Sequence, residues 1–553
     1  MGVPVTDVQG AQISSRPINH RRTANYKPSP WTYEFIQSLV NDYGEEAHER
    51  RVLVLKGNVI QLLNEATLPL NKLQLVDTLE HLGLEYVFEK EIKEALDSLS
   101  LQEDLHSIAL YFKLLRRHGY EVSPANFFQI CDIIDVFENY QKQIDGIDAK
   151  GLLSLYEASQ LGFEAETIME DIKEVAVRRL RETLDGNTDS IVVKQVKHAL
   201  EVPLHRRLPL MEARWYLDIY EMEENMNALL LVQAQLLFNI GQAAYQRDVK
   251  IVSSWWKSLG VGVQLKFVRD RCMEVFLCSS GMIPEPRFDF GRKQLTKILK
   301  LIAVIDDLYD VYGELEELEI FTEAVQRWDA SAVDQLPDFM KICFGAVLDT
   351  CNEIADSAFL RQGKQIGHFL AKGWSDISVA FLKEARWFHS GYIPSFEEYI
   401  ENACISSSGA LILIHAYVLL DLVIEEEELQ FLQSYPDLIR GPSLIFRLCN
   451  DLATAKAEAE RGDAPGCVEC YMRETGESEE QARAYIESLI DKTWKTVTEE
   501  TLARSTFPKP FNMIALNLCR AVQATYQDGD GYGAPGVRMK GLVTSILVKP
   551  IPI

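Results

Sequence analysis

Residues 301–313 read LIAVIDDLYDVYG. An apolar run with helical spacing ends in three carboxylates, Asp306, Asp307 and Asp310. On a helix of 3.6 residues per turn, positions 306 and 310 lie almost above one another, with 307 about 100° away. The carboxylates therefore converge. Charge buried on an apolar face is costly unless a cation offsets it. Hard oxygen ligands suit Mg²⁺ or Mn²⁺, ions that commonly bridge protein carboxylates to phosphate oxygens. The competing reading is a solvated helix end.

The helical reading extends outward over nearly the whole chain. Residues 73–99 (LQLVDTLEHLGLEYVFEKEIKEALDSL) place apolar residues three and four apart, the spacing of a buried helix face. Period-two alternation between turn signals is scarce, and no repeat of 20–50 residues is evident. The predicted fold class is all-α. With 553 residues the chain is too long for one ordinary core, so two large helical domains are expected. Residues 1–31, rich in Pro, Ser and Arg, read as an extended segment. Residues 32–230 read as the first domain, closing with HRRLPLMEARWYLDIY (205–220), and 231–553 as the second. Residues 528–537 (DGDGYGAPGV) form a Gly-rich loop, either a mobile lid or a plain connector.

Composition narrows the function classes. The net charge of −26 argues against nucleic acid, whose phosphates need a basic footprint, and against anionic membranes. The most apolar stretch, residues 409–424 (GALILIHAYVLLDLVI), falls short of the about 20 residues of a membrane span and contains His415 and Asp421. It reads as a buried core helix. Ten scattered cysteines fit reduced thiols better than a disulfide framework. Cys467 and Cys470 form a lone CxxC, without the two further ligands that zinc needs. No signal-peptide apolar core is present at the N-terminus. Residues 1–20 are short for a transit peptide and include Asp7. The expected location is the plastid stroma if a transit peptide has been removed, and the cytosol otherwise.

A second set of oxygen ligands lies at 447–463 (RLCNDLATAKAEAERGD). Asn450, Thr454 and Glu458 are spaced i, i+4, i+8 and share one helix face. An amide oxygen, a hydroxyl and a carboxylate are poor on an apolar face and good on a metal face. Two such clusters can face each other across a helix bundle, where metal sites are commonly built. Arg269 and Arg271, two apart in a segment read as helical, and Arg447, one turn before Asn450, supply guanidinium forks that match phosphate oxygens. Taken singly, each arginine reads as a surface ion pair. Taken with two acidic clusters, they point to a metal–diphosphate site.

These residues resemble the plant class I terpene synthases. DDLYD (306–310) is similar to the family's DDxxD motif, and NDLATAKAE (450–458) to its (N/D)DxxSTxxxE motif. RDR (269–271) is similar to RxR. Arg21 and Arg22, followed by eight residues and Trp31, are similar to RRx8W. The motifs occur in family order over essentially the whole chain. The resemblance implies an N-terminal α-barrel domain without catalysis and a C-terminal class I bundle carrying the active site. No DxDD occurs in the first 230 residues, so proton-initiated cyclisation is not implied. A single DDxxD disfavours chain-elongating prenyl synthases, which carry two. RRx8W resembles a subfamily rich in angiosperm monoterpene synthases that also contains isoprene, ocimene and farnesene synthases, and it implies an N-terminal strand folded over the bundle mouth.

The chemistry implied is ionisation of an allylic prenyl diphosphate. Three Mg²⁺ ions, with Mn²⁺ as the alternative, would be held by Asp306, Asp307, Asp310, Asn450, Thr454 and Glu458. Arg269, Arg271 and Arg447 would stabilise the departing diphosphate, and Asp530 and Tyr532 are candidate lid groups. Many relatives carry a tryptophan on the pocket floor in the helix after RDR, and Cys278 stands in its place here. Ser406–Gly409 resembles the broken helix beside the substrate. The leading expectation is a monoterpene synthase acting on geranyl diphosphate with an acyclic product such as ocimene, myrcene or linalool. The runner-up is an α-farnesene-type enzyme acting on farnesyl diphosphate. A non-catalytic helical scaffold is the alternative class, disfavoured by the intact ligand sets. A monomer is expected, with a dimer as the alternative.

Overall fold

A computed structural model describes residues 21–553, except 23, 25, 45, 101–103, 129–148, 185–189 and 421. Residues 1–20, which include Asp7, and Asp421 therefore lie outside the described residues. Among the described residues every regular element is a helix, as the three- and four-residue apolar spacing predicts.

The N-terminal domain packs helices including Glu46–Glu65, Pro69–His81, Leu105–Arg117 and Pro209–Tyr220 around Val76, Leu79, Ile92, Ile108 and Phe112. The 73–99 stretch is not one helix. It breaks after His81, turns through Gly83 at φ +70°, and resumes at Glu89. Glycine takes that left-handed conformation without a Cβ clash.

The C-terminal domain contains eleven principal helices: α1 Ala228–Leu259, α2 Cys272–Met282, α3 Asp289–Asp307, α4 Leu315–Arg327, α5 Asp338–Gln362, α6 Gly367–Ser390, α7 Phe396–Ser406, α8 Gly409–Leu419, α9 Asp437–Arg461, α10 Glu479–Glu499 and α11 Lys509–Tyr526. Every residue of α8 is buried. It is the central helix, packed against α3, α6, α9 and α11. The apolar stretch read as a core helix is one, although it stops at Leu419 rather than running to 424.

The expected division at 230/231 falls inside α1, a single helix of 32 residues. Leu230, Leu231 and Ala234 at its start belong to the N-terminal core, and Trp256 near its end belongs to the C-terminal core. A buried polar ladder on α1 anchors the chain's C-terminus. Asn239 bonds both the N–H and the carbonyl of Ile551, at 2.8 and 2.7 Å, and Gln242 and Gln246 donate to carbonyls of residues 546–549. α1 and the combined stretch Phe396–Leu419 are long and apolar enough to cross a membrane by composition, but both are mostly buried inside the fold.

Candidate active site

A cavity of about 240 Å³ opens at one end of the C-terminal bundle. Its mouth is polar and its floor apolar. The apolar face of α3 (Leu295, Ile298, Leu301, Ile305) fixes that helix in the core and carries Asp306 and Asp307 to its end. The helix then continues over Leu308–Tyr312 as a π-helical turn bearing Asp310. Such single π turns recur at functional sites. Asp306 and Asp310 line the cavity. Asp307 does not. It is fully buried against Arg269, accepting from its backbone N–H at 2.9 Å with Nε also 2.9 Å away.

The opposite wall is α9, where Asn450, Thr454 and Glu458 all line the cavity, as their shared helix face predicts. The Thr454 hydroxyl donates to the Asn450 carbonyl at 2.9 Å, which leaves its lone pairs free for a cation. Between them Asp451 accepts from the Tyr399 hydroxyl at 2.7 Å and from the Cys467 N–H at 2.8 Å. Cys467 and Cys470 are both buried in the small core behind this wall.

The sequence reading missed Glu384. It projects from the middle of α6 into the cavity, accepting from Asn402 Nδ2 at 3.0 Å and lying 3.9 Å from Arg447. Burial, then the like charges of Asp306 and Glu384, push the Asp310 carboxyl far up from its ordinary range. Burial and then Asp451 push Glu458 up to about 7. Among the described residues no basic side chain forms an ion pair with either of them. A cation is the missing partner. No three His, Cys, Asp or Glu side chains among the described residues converge closely enough to hold an ion alone. The oxygens are divided between walls, so an ion binding here draws further oxygens from its ligand. The residues fit a divalent metal on those terms.

Of the three arginines, two face the cavity. Arg269 pairs with Asp306 and is flanked by the rings of Tyr26 and Tyr532, at 5.0 and 5.1 Å. Arg447 donates to Ser406 Oγ at 3.0 Å. Arg271 departs from expectation. The RDR segment is a loop ahead of α2, not a helix, and Arg271 turns away from the cavity. Its Nε and Nη2 donate to the carbonyls of Tyr532 and Gly533, each at 2.9 Å. It holds the C-terminal loop, with its N–H groups committed to carbonyl oxygens.

That loop and the N-terminal segment close the mouth. Asp530 Oδ1 accepts from the N–H groups of Tyr532 and Gly533 at 3.1 and 2.7 Å, so it both shapes the turn and lines the cavity with Tyr532. Arg21 forms a two-pronged pair with Glu317 at 2.6 and 2.7 Å. Arg22 pairs with Asp463 at 2.6 Å and donates to the Asp310 carbonyl at 3.2 Å. Tyr26, also unforeseen, lines the cavity. Trp31 lies farther off, packed against Phe35 with ring centroids 5.3 Å apart.

On the floor, Cys278 lines the cavity with Val275, Met282, Ile302 and Val522, and its thiol lies 3.5 Å from the Thr525 hydroxyl. Ser406, Ser407 and Ser408 line one side, where α7 breaks into α8 with Ser408 at φ +70°. Gly409 is not on the lining. It lets α8 approach α9, since a Cβ there would sit 2.6 Å from Ser443 Oγ.

Comparison with known proteins identifies the family. Residues 257–496 match the model of the terpene synthase family metal-binding domain, and residues 30–200 match the terpene synthase N-terminal domain. The (-)-alpha-terpineol synthase of Vitis vinifera is 45% identical over 541 residues, covering 96% of this chain and 91% of that protein. The chloroplastic myrcene synthase of Quercus ilex is 44% identical over 559 residues, covering 100% and 93%. The structure of isoprene synthase from grey poplar (Populus x canescens), in complex with three Mg²⁺ ions and dimethylallyl-S-thiolodiphosphate, superposes with a TM-score of 0.85 at 40% identity, covering 95% and 99%. The chain belongs to the terpene synthase family, a family of lyases with a metal-binding catalytic domain.

Proposed function

We propose that this enzyme ionises geranyl diphosphate and releases an acyclic monoterpene. The observation carrying the proposal is the division of one cavity into a mouth rich in carboxylate oxygens and an apolar floor. In this reading Asp306, Asp310, Asn450, Thr454 and Glu458 would hold three Mg²⁺ ions, with Glu384 a further oxygen donor at the mouth. When bound, the ions neutralise negative charge developing on the departing diphosphate. Arg269 and Arg447 donate N–H groups toward the same charge. Asp307 orients Arg269, and Arg271 acts through the Tyr532–Gly533 loop.

Breaking the C–O bond leaves an allylic cation over the floor. Phe381, Phe446 and Tyr526 line that space, and aromatic rings can stabilise positive charge through their quadrupoles. Arg22, Tyr26, Asp530 and Tyr532 exclude the water that would quench the cation. The cavity's about 240 Å³ lies just below the about 300–1,000 Å³ usual for a ligand site. That supports a ten-carbon over a fifteen-carbon substrate. Cys278 at the floor supports the acyclic outcome, because a thiol grips a folded chain less closely than a broad aromatic face would. The myrcene synthase of Quercus ilex is named for such a product and as chloroplastic, and we place this enzyme likewise in the plastid stroma.

Incubation with geranyl and with farnesyl diphosphate, each with Mg²⁺, followed by gas chromatography tests the reading. The expected result is an acyclic ten-carbon product from geranyl diphosphate. Turnover of farnesyl diphosphate alone would overturn it in favour of a farnesene-type enzyme.

A further inference from the structure

We propose that a second cavity, between the two domains, binds a carboxylate or phosphate carried on a short apolar body, with Arg520 holding the anionic head. This cavity measures about 230 Å³. α11 separates it from the active site. Leu518, Val522 and Tyr526 face the active site, while Met513, Asn517 and Arg520 face the interdomain cavity.

Every charged group around the interdomain cavity has an opposite charge in contact, with one exception. Arg117 Nε lies 3.1 Å from Glu80, and Arg207 lies 2.6 Å from Glu212. Lys509 lies between Glu89 and Glu85 at 3.4 and 3.6 Å, and Arg287 lies 2.7 Å from Glu285. Arg520 has no carboxylate partner among the described residues. It is 3% exposed. Its Nε donates to the His205 carbonyl at 2.7 Å and its Nη1 to Asn517 Oδ1 at 2.8 Å, both neutral acceptors. Nη2 makes no hydrogen bond among the described residues.

A guanidinium does not escape this by losing its proton, and a buried unpaired charge is costly. Glu85 and Glu80 favour the Arg520 charge only from a distance, without an ion-pair contact. Burial and then the Arg520 charge hold His205 far below its ordinary pKa, so it stays neutral, and it brings no negative charge. The missing partner is an anion, and a guanidinium fork fits carboxylate or phosphate oxygens. The rest of the wall is largely apolar, with Leu82, Leu84, Phe238, Ile283 and Ile514, which selects a ligand with a hydrocarbon body over a bare ion. Domain interfaces are a common place for such sites. Met282 lines both cavities, so the ligand body would rest against the back of the active-site floor.

Isothermal titration of the full-length protein with octanoate, in EDTA, tests this. Acetate serves as the head without the body. We expect a single octanoate site and acetate binding weaker by at least about tenfold, from the lost apolar burial. Arg520→Gln should weaken octanoate by about tenfold or more, from the lost charge-assisted hydrogen bonds. Arg520→Lys should retain part of the affinity, and Met513→Trp, which fills the cavity without touching the charge, should abolish it. Cys278→Trp, in the active-site floor, should leave it unchanged. No octanoate binding at millimolar concentration would overturn the proposal. So would binding that survives Met513→Trp but is lost in Cys278→Trp, which would assign the probe to the active site. Either failure leaves the terpene synthase reading untouched, because that reading does not depend on Arg520.

Discussion

The cavities on either side of α11 are nearly equal in size, about 240 and about 230 Å³, and differ in which sign of charge is left without a contact partner. The active site gathers carboxylates from α3, the π turn, α6 and α9 with too few cations. The interdomain cavity has as many lining bases as carboxylates, but Lys509 takes two carboxylates and Arg520 is in contact with none. Both deficits are buried, where water cannot compensate them cheaply. The comparison shows that the sign of the unmatched charge identifies the class of ligand: divalent cations in one cavity, an anion in the other.

The largest expected effect breaks the first deficit. Asp306→Ala or Glu458→Ala should lower the rate of diphosphate release by about 10²–10³-fold or more, the range seen when one group stabilising a developing charge is removed. Full activity in either variant would remove that residue from the site. The next effect contrasts paired with unpaired charge across the interdomain cavity. Arg117→Ala leaves the buried Glu80 carboxylate with only His118 in contact, 2.8 Å away, and should destabilise the fold by ~3–5 kcal/mol in urea unfolding. Arg520→Gln strands no counter-charge and should cost only ~1–3 kcal/mol, from hydrogen bonds to His205 and Asn517. Equal losses would mean that Arg520 has a counter-charge after all.

A smaller effect is set by pH. Burial and Asp451 raise the Glu458 carboxyl to about 7 in the folded chain, above its ordinary value. Between those values the folded state binds the proton that the unfolded state has released, so stability falls as pH rises. The melting temperature in EDTA should drop between about pH 5 and 7 and level off above that, and Glu458→Gln should flatten that slope. The smallest effect concerns the floor. Cys278→Trp should shift the ratio of cyclic to acyclic products by roughly tenfold, worth little more than 1 kcal/mol, and an unchanged chromatogram would remove Cys278 from product control.

Much of the site was legible in the sequence because its ligands lie on regular helices. The i, i+4, i+8 spacing of Asn450, Thr454 and Glu458 fixes their common face without any tertiary information, and the structure puts all three on one wall. Glu384 was not legible. It has no second oxygen ligand one helical turn away on α6, and only the packing of α6 beside α7 brings it to the mouth. The π turn at Leu308–Tyr312 leaves no mark in residue order, since its hydrogen bonds depend on what packs around it. Asp307 and Arg271 show the limit of motif reading. Position alone marks each as part of the site, but Asp307 faces Arg269 and Arg271 faces carbonyls 261 and 262 residues away in sequence. Similarly, the helical pattern of 73–99 conceals the break at Gly83, and the two domains share α1, so no composition shift marks their boundary.

The central claim is that neither oxygen wall is complete without a diphosphate. Equilibrium binding of Mn²⁺, followed by electron paramagnetic resonance with and without inorganic pyrophosphate, tests it most directly. Mn²⁺ alone should bind weakly and partially, three ions per chain should be held tightly once pyrophosphate is present, and Asp310→Asn should reduce that number. Full, tight occupancy without pyrophosphate, or no gain on adding it, would contradict the account.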